Sequence, residues 1–437
     1  MKSIFSLLKI IVLRSLLVSL SLVASVLLAH LLGQVDYGRY VYIVALVSFL
    51  TIPSSLGLDR FLLREVSIFN TQEQWDYLAG LLRWSNVVSL ATSAVLLGIG
   101  NALIWGTNLV DDPLRLPLSL GLLYIPLGAL RNLKLATMQG LNRVALGFLP
   151  DSLIAPLLLI VAIGVTRSVE WLNFWTTDLA LTASIGLQLL VVAITLVVGV
   201  VILQQLLPQP VREAALKYQP RRWIVTAIPM MFFSVLQIVH GRIDLLMLGS
   251  LRSPDSVAIY SAVWQGMRYV SLILLSANSL LAPRIARLHS LGKLAELEQL
   301  LVRYARIVLA LSAVAVLGLL INSAAYLNLF GANYGSGRTT MMILCVGQLV
   351  NAATGSVGVL LNMTGHERSM LVSVSASVLL NIGLNLYLIP KWGIDGAAIA
   401  TVASLSFINL IKTLWAYRCL GVQVTCLGPI LNSRFSE

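Results

Sequence analysis

Long apolar segments follow one another along almost the whole chain. A membrane-spanning helix needs about 20 mostly apolar residues, and twelve segments of the 437-residue sequence reach that length. Only 11% of the residues are charged, whereas a soluble domain carries about 25%. These features exclude a soluble enzyme, a secreted disulfide scaffold and a disordered chain. The predicted spans are Ser15–Gly33, Tyr40–Leu58, Trp84–Gly106, Leu116–Met138, Val144–Thr166, Leu179–Leu207, Trp223–Gly249, Val257–Pro283, Ile307–Phe330, Thr340–Met363, Met370–Pro390 and Ile394–Tyr417.

The net charge of +12 is distributed unevenly between the two ends of these spans. With the N-terminus placed in the cytoplasm, 22 of the 30 Lys and Arg residues lie at cytoplasmic ends and 6 at the opposite ends. Basic residues gather on the cytoplasmic side of membrane proteins. The pattern therefore predicts a multi-pass protein of the inner (plasma) membrane with both termini in the cytoplasm, and no nucleic-acid partner.

The two halves of the chain resemble each other. At a displacement of 220 positions Arg64 falls on Arg284, and at 225 positions Gly140 falls on Gly365. Because each half holds six predicted spans, both halves enter the membrane in the same direction, as in a parallel repeat. The sequence predicts an all-α fold of two six-helix lobes. The N-terminal lobe is residues 1–207 and the C-terminal lobe is residues 223–418. Residues 208–222 form a cytoplasmic linker between them, and residues 419–437 form a cytoplasmic tail.

A parallel repeat of six spans is a common layout of secondary transporters, whose substrate sites lie near the midplane. The extramembrane loops are short, and no Gly-rich phosphate loop with its Lys is present. We expect no catalytic residue, no resident metal and no cofactor. A membrane-embedded glycan polymerase or ligase is the less favoured alternative, because such enzymes need a large outer loop for their catalytic groups.

Several motifs along the chain resemble one family of membrane transporters. The sequence is similar to the polysaccharide-biosynthesis flippases, the Wzx-type branch of the multidrug/oligosaccharidyl-lipid/polysaccharide exporter superfamily. The motifs are LLGQVDYGRYVYIVALVSFLTIPSSLGLDRFLLREV from Leu31, DLLMLGSLRSPDSVAIYSAVWQGMRYV from Asp244, APRIARLHSLGK from Ala282, LFGANYGSG from Leu329, LNMTGHERS from Leu361, LNIGLNLYLIP from Leu380 and WGIDGAAIAT from Trp392.

The resemblance implies that the protein passes an undecaprenyl-pyrophosphate-linked oligosaccharide from the inner to the outer leaflet by alternating access. The implied partners are this polyprenyl-pyrophosphate-linked glycan, membrane lipids, polysaccharide assembly enzymes and a coupling cation, either a proton or sodium. The first span has no acidic residue of the kind that binds a coupling cation in related drug exporters. A multidrug exporter of the same superfamily is the alternative function.

Four ionisable residues lie inside predicted spans of the second half, where they are costly and usually face a cavity or a partner. They are His240, Arg242, Asp244 and Arg268. One interpretation is a cationic cavity in which arginine forks bind the pyrophosphate. The alternative is a structural Asp244–Arg268 pair, with His240 in an interhelical hydrogen bond.

Two further sets of residues are substrate-site candidates. Gln265, Gln348 and Asn351 carry amides that suit sugar hydroxyls, although amides also join helices in membranes. Asn381 and Asn385, four residues apart, fit the second role better. Arg60, Arg64, Arg284 and Arg287 lie at equivalent inner ends of the second and eighth spans, where they either gather the anionic headgroup at a cytoplasmic mouth or are ordinary positive-inside anchors.

Overall fold

The computed structural model describes residues 2–108, 110–169 and 177–428. These residues form helices and short connections, and no strand occurs among them. The α-helices are α1 Lys2–Ser55, α2 Leu58–Thr71, α3 Trp75–Gly106, α4 Asp112–Leu122, α5 Tyr124–Gly140, α6 Val144–Leu149, α7 Ala155–Val169, α8 Thr177–Leu206, α9 Gln209–Glu213, α10 Pro220–Leu251, α11 Pro254–Ser290, α12 Leu294–Ile321, α13 Ser323–Asn328, α14 Arg338–Thr354, α15 Val357–Met363 and α16 Glu367–Leu420.

Two short segments depart from the α-helical pattern. Pro150–Ile154 forms a π-helical turn between α6 and α7, and Ala332–Gly337 forms a 3₁₀ turn before α14. Such π-helical turns are rare in proteins and are frequent at functional sites.

The described helices support a multi-pass membrane protein. Eight of them are long and apolar enough to cross a membrane, and ten are if each of two bent helix pairs forms one span. One of these pairs joins α14 and α15 with a bend of 44°. The predicted number of twelve spans stays a prediction.

The two longest helices each contain a glycine break. Both α1 and α16 have 54 residues, which would make a straight helix about 81 Å long against a hydrocarbon core of about 30 Å. Gly33 in α1 and Gly393 in α16 have positive φ values of 71° and 57°. Each helix therefore consists of two arms that meet at a glycine, and both glycines lie where the sequence predicts the end of a span.

Several predicted connections are helical. The sequence predicts a polar connection from Asp59 to Arg83, but α2 and the start of α3 occupy it. In α2 the buried residues Leu58, Phe61, Leu62, Val66 and Phe69 recur every three or four positions. This spacing gives an amphipathic helix one apolar face, which a search for long apolar runs does not detect.

Contacts within the chain divide it into two compact units. The N-terminal unit is Val23–Arg242, and the C-terminal unit combines Met1–Leu22 with Ile243–Glu437. The division assigns the first arm of α1 to the C-terminal unit, where Leu7 is completely buried beside residues of α11 and α12. The lobe boundaries predicted from the repeat stay a prediction.

Each unit has its own hydrophobic core. In the N-terminal unit, α2 packs its apolar face against α3 and α5, and the Trp84 and Trp223 rings lie 5.2 Å apart. In the C-terminal unit, the core gathers side chains of α11, α12, α15 and the end of α16. Val422 and Val424, which follow α16, are buried in the same core.

Candidate functional site

Asp244 lies inside the C-terminal unit at the centre of a cage of hydrogen-bond donors. Its side chain is on α10, and the residue is only 6% exposed. Asn385 Nδ2 donates to Asp244 Oδ1 at 2.7 Å, and Thr401 Oγ1 donates to Oδ2 at 2.6 Å. Tyr260 of α11 donates its hydroxyl hydrogen to Oδ2 at 3.3 Å. Both carboxylate oxygens are therefore solvated by protein groups instead of water.

The cage continues along the two arms of α16. Asn385 Nδ2 also donates to Asn381 Oδ1 at 2.9 Å, and Asn381 Nδ2 donates to Ser404 Oγ at 3.2 Å. Asn381 and Asn385 precede the break at Gly393, whereas Thr401 and Ser404 follow it. The reversal at this glycine therefore brings two stretches of one helix onto the same carboxylate. Among the described residues, Asn385 Oδ1 is buried without a hydrogen-bond partner.

Arg268 has a different environment from Asp244. No ion pair joins the two side chains among the described residues, so the alternative of a structural Asp244–Arg268 pair has no contact to support it. Arg268 is exposed and lines a groove of about 380 Å³ in the C-terminal unit. Ser271 and Asn278 line the same groove, together with apolar residues of α11 and Val18 of α1.

A second arginine lies next to this groove. Arg14, on the first arm of α1, donates from Nη2 to Ser279 Oγ at 3.0 Å, and Ser279 follows the groove residue Asn278. Arg14 Nη1 and Asn278 Oδ1 are buried and have no hydrogen-bond partner among the described residues. In the sequence, Arg14 is a basic residue just before the first predicted span, which starts at Ser15. Its place beside α11 depends on how the first arm of α1 packs.

The amide candidates connect helices of the C-terminal unit. Gln348 Oε1 accepts a hydrogen bond from the groove residue Ser271 at 3.1 Å. Asn351 Oδ1 accepts from Asn409 Nδ2 at 2.9 Å, which joins α14 to α16. Gln265 is half-buried on α11. The structure thus brings Gln348 close to the Arg268 groove.

The other two ionisable residues predicted inside spans, His240 and Arg242, lie at the end of the N-terminal unit. Arg242 is exposed on α10. The side chain of His240 lies outside the described residues. The roles proposed for both from the sequence stay predictions.

Arg64 and Arg284, two of the four arginines predicted at a cytoplasmic mouth, have partners in the structure. In the N-terminal unit, Arg64 forms an ion pair with the buried Glu65 at 2.9 Å, and Arg60 is exposed one turn earlier on α2. In the C-terminal unit, Arg284 donates to the Tyr304 hydroxyl at 3.2 Å, and Arg287 is exposed near the end of α11. Their role in gathering a headgroup stays a prediction.

Comparison with known proteins decides the family. Residues 2–289, about two thirds of the chain, match the family described as "Polysaccharide biosynthesis protein". The chain belongs to this polysaccharide biosynthesis protein family. The resemblance read from the sequence motifs is thereby confirmed. Residues 229–387 of this family member also match the MatE family.

One curated relative and two solved structures extend the comparison. "Probable flippase AglR" from Haloferax volcanii is 27% identical over 202 residues, which are 45% of this chain and 41% of the relative. The chain is thus matched over less than half of that relative's length. A multidrug resistance MATE family transporter of the MOP superfamily, solved in an inward-facing conformation, superposes with a TM-score of 0.74 at 13% identity, over 96% of both chains.

The second structure is the lipid II flippase MurJ in an inward closed conformation. It superposes with a TM-score of 0.70 at 12% identity, over 94% of this chain and 87% of MurJ. At these identities the two structures show a shared fold. They confirm the predicted fold class, an all-helical membrane protein with two lobes.

Proposed function

We propose that the protein is a flippase that moves a polyprenyl-pyrophosphate-linked oligosaccharide from the inner to the outer leaflet of the cytoplasmic membrane. The observation that carries the proposal is the polar stripe along α11. Arg268, Ser271 and Asn278 line one groove, and Arg14 contacts the next residue, Ser279. Ten residues separate Arg268 from Asn278, about 15 Å along a helix. Two arginines on such a stripe suit a phosphate-bearing headgroup, since each guanidinium can donate two parallel hydrogen bonds.

The unsatisfied groups of the stripe favour a ligand over a purely structural role. A buried donor or acceptor without a partner costs about 1–3 kcal/mol. Arg14 Nη1 offers a donor for a phosphate oxygen, and Asn278 Oδ1 offers an acceptor for a sugar hydroxyl. A multidrug exporter, the second candidate, is favoured by the buried Asp244 carboxylate. The two arginines argue against it for cationic drugs, which they would repel.

The Asp244 cage supports coupling to a cation. A buried carboxylate is costly unless a cation or proton neutralises it. Around Asp244 the oxygens of Asn385, Asn381, Thr401 and Tyr260 are hard donors of the kind that bind hard cations. Asn385 Oδ1 has no other partner among the described residues. These residues fit a monovalent cation, and we assign them as its site.

The hydrogen bonds of Thr401 also fit a site that exchanges a proton. Its single hydroxyl hydrogen can reach Asp244 Oδ2 at 2.6 Å and Ala397 O at 2.9 Å, and the Tyr260 hydroxyl lies 3.1 Å away. When Asp244 is ionised, Thr401 donates to the carboxylate. When Asp244 carries a proton, the carboxyl group donates to Thr401, and Thr401 donates to Ala397. The cage therefore satisfies both protonation states without moving a helix.

The function is tested by flipping in reconstituted vesicles. The vesicles carry a polyprenyl-pyrophosphate-linked oligosaccharide, and a lectin added outside measures how much glycan reaches the outer leaflet. We expect Arg268→Lys to lower the rate by about tenfold, because lysine keeps the charge but loses the two-pronged hydrogen bond. Arg338→Gln, which removes an exposed arginine from the start of α14, is the matched control and should leave the rate unchanged.

Two results would reject the proposed function. One is export of a cationic fluorescent drug by the wild-type protein in vesicles that show no movement of the lipid-linked glycan. The other is a normal flipping rate in the double variant Arg14→Gln/Arg268→Gln.

The proposed orientation has its own test. Both termini are placed in the cytoplasm by the distribution of basic residues. A membrane-impermeant maleimide should label Asn108→Cys and Asn333→Cys in intact cells, whereas Lys293→Cys should react only after lysis. Labelling of Lys293→Cys from outside, with protection of the other two positions, would reverse the orientation.

A further inference from the structure

The N-terminal unit contains a cluster of charges that the proposed route does not use. Arg131 and Lys134 lie one turn apart on α5, and Asp151 lies in the π-helical turn Pro150–Ile154. Lys134 Nζ is 3.7 Å from Asp151 Oδ2, and Arg131 Nε is 3.9 Å from Oδ1. The Lys134 side chain is only 2% exposed, compared with 18% for Asp151 and 30% for Arg131.

The hydrogen bonds within this cluster are incomplete. Distances of 3.7 and 3.9 Å exceed the 2.7–2.9 Å of charge-assisted hydrogen bonds. Lys134 Nζ and Asp151 Oδ1 are buried and have no hydrogen-bond partner among the described residues. One carboxylate also faces two cations, which leaves an excess positive charge. Buried charges are normally paired and hydrogen-bonded, so the Lys134 ammonium calls for a further acceptor oxygen, whereas Asp151 Oδ1 lacks a donor.

Gly199 on α8 fixes the position of the ammonium group. A Cβ at this position would collide with Lys134 Nζ and would lie 2.5 Å from its Cδ. The absence of a side chain at residue 199 therefore makes the slot that holds the Lys134 side chain beside Asp151.

The cluster lies near the end of a predicted span. Lys134 lies six residues before the end of α5 at Gly140, about 9 Å along the helix axis, and within the predicted span Leu116–Met138. Arg131 is the more exposed of the two cations, so a phosphate group can approach the cluster from the Arg131 side.

We propose that Arg131 and Lys134 form a phosphate-binding site in the N-terminal unit. A phosphate or pyrophosphate oxygen of a lipid headgroup binds between the guanidinium and the ammonium groups, and it supplies the hydrogen bonds that Asp151 does not make. Asp151 keeps the two cations together when no headgroup is bound. If the ligand is the pyrophosphate of the transported substrate, this inference rests on the proposed flippase function. The proposal that the site binds phosphate does not depend on that function.

The site is tested by ligand binding to the purified full-length protein in nanodiscs. The probes are farnesyl pyrophosphate, inorganic pyrophosphate, and a comparison of phosphatidylglycerol with phosphatidylcholine nanodiscs. We expect Lys134→Met and Gly199→Ala to weaken binding of farnesyl pyrophosphate by about tenfold or more, the usual effect of losing a hydrogen bond to a charged group. Gly199→Ala is the sharper variant, because it displaces the ammonium without removing a charge.

Lys217→Met is the matched control. Lys217 is also paired with one aspartate, Asp76, at 2.8 Å, but on an exposed surface of the same unit. The hydrogen bond to Asp76 raises the pKa of Lys217, so this lysine carries the same charge as the one removed in the test. Its loss should leave binding unchanged.

A further variant separates binding from folding. Lys134→Met/Asp151→Asn removes one positive and one negative charge, so the net charge of the cluster stays the same, and the melting temperature reports whether the fold is intact. Weaker binding in this double variant at an unchanged melting temperature supports the site. Wild-type affinity in the double variant and in Gly199→Ala would overturn it.

The probes also distinguish the source of the phosphate. If the variants change only the difference between phosphatidylglycerol and phosphatidylcholine nanodiscs, the site binds the phosphate of a membrane phospholipid. The proposal of a phosphate site is then supported, with a phospholipid as the source of the phosphate. If flipping fails the Arg268 test while farnesyl pyrophosphate binding still depends on Lys134, the flippase proposal falls and the phosphate site remains.

Discussion

Replacing Asp244 with asparagine is expected to leave the protein folded and to uncouple it from its driving gradient. Asparagine has the same shape as aspartate and keeps one acceptor oxygen for the hydrogen bonds from Thr401 and Tyr260. It cannot hold a proton or balance the charge of a cation. A gradient drives a conformational cycle only through an ion that binds one state better than the other. Flipping should therefore fall by tenfold or more and stop responding to an imposed gradient.

The measurement uses the same vesicles under opposite gradients of H⁺ and Na⁺. A wild-type rate that follows one gradient and not the other identifies the coupling ion, and Asp244→Asn should abolish that response. Asp255→Asn, in the first turn of α11, is the control and should keep it. If the flipping rate of Asp244→Asn still follows the gradient, the residues around Asp244 are not the coupling site.

Replacing Asp244 with alanine should act on stability as well. Alanine removes the acceptor that Asn385, Thr401 and Tyr260 share. Thr401 can still donate to Ala397 O, and Tyr260 lies within hydrogen-bond distance of Thr401, but one amide hydrogen of Asn385 loses its acceptor. At about 1–3 kcal/mol for an unsatisfied buried group, the loss of stability is on the order of 1–3 kcal/mol. A lower melting temperature for Asp244→Ala than for Asp244→Asn would separate this structural effect from the loss of coupling.

Parts of the Asp244 cage could be predicted from the sequence, because they follow from helical spacing. Asp244 was singled out as an ionisable residue inside a span, and Asn381 and Asn385 as neighbours on one helix face. The sequence indicated interhelical hydrogen bonds for the two asparagines, and they do hydrogen-bond to Asp244 and Ser404. Thr401 could not be placed, since its contact depends on how α16 reverses at Gly393.

The environment of the arginines could not be predicted. The sequence leaves an Asp244–Arg268 pair open as an alternative, but it does not specify which face of a helix turns towards which neighbour. Arg14 appeared only as an anchor because its sequence context, a basic residue before an apolar run, is that of any first span. Lys134, near the inner end of the fourth predicted span, also has the sequence context of an ordinary anchor. Only the packing of α5 against α8 and the π-helical turn shows that it is buried.

The connections between spans were partly predictable. Glycine breaks at Gly33 and Gly393 coincide with predicted span ends, because a residue with positive φ is usually glycine. The helical character of the segment after Gly57 was missed. Its apolar residues are not consecutive, and its exposed face carries Arg60 and Arg64.

Replacing Gly57 with alanine is expected to cause a large loss of folded protein. Gly57 has a φ of 72° at the start of α2, a conformation that costs other residues about 1–2 kcal/mol. A Cβ there would lie 2.6 Å from Met231 Cα and 2.7 Å from Ala227 O, both backbone atoms of α10 in the same unit. Backbone atoms cannot rotate away, so overpacking adds about 1–3 kcal/mol.

The combined destabilisation of roughly 2–5 kcal/mol should appear as lower membrane abundance and a lower melting temperature of the purified Gly57→Ala protein. Gly98→Ala is the matched control, because Gly98 lies inside α3 with nothing within 4 Å of the added Cβ. Alanine is favoured over glycine within a helix by about 0.5–1 kcal/mol, so this variant should be at least as stable as the wild type. Equal melting temperatures for the two variants would show that α2 and α10 do not pack this closely at Gly57.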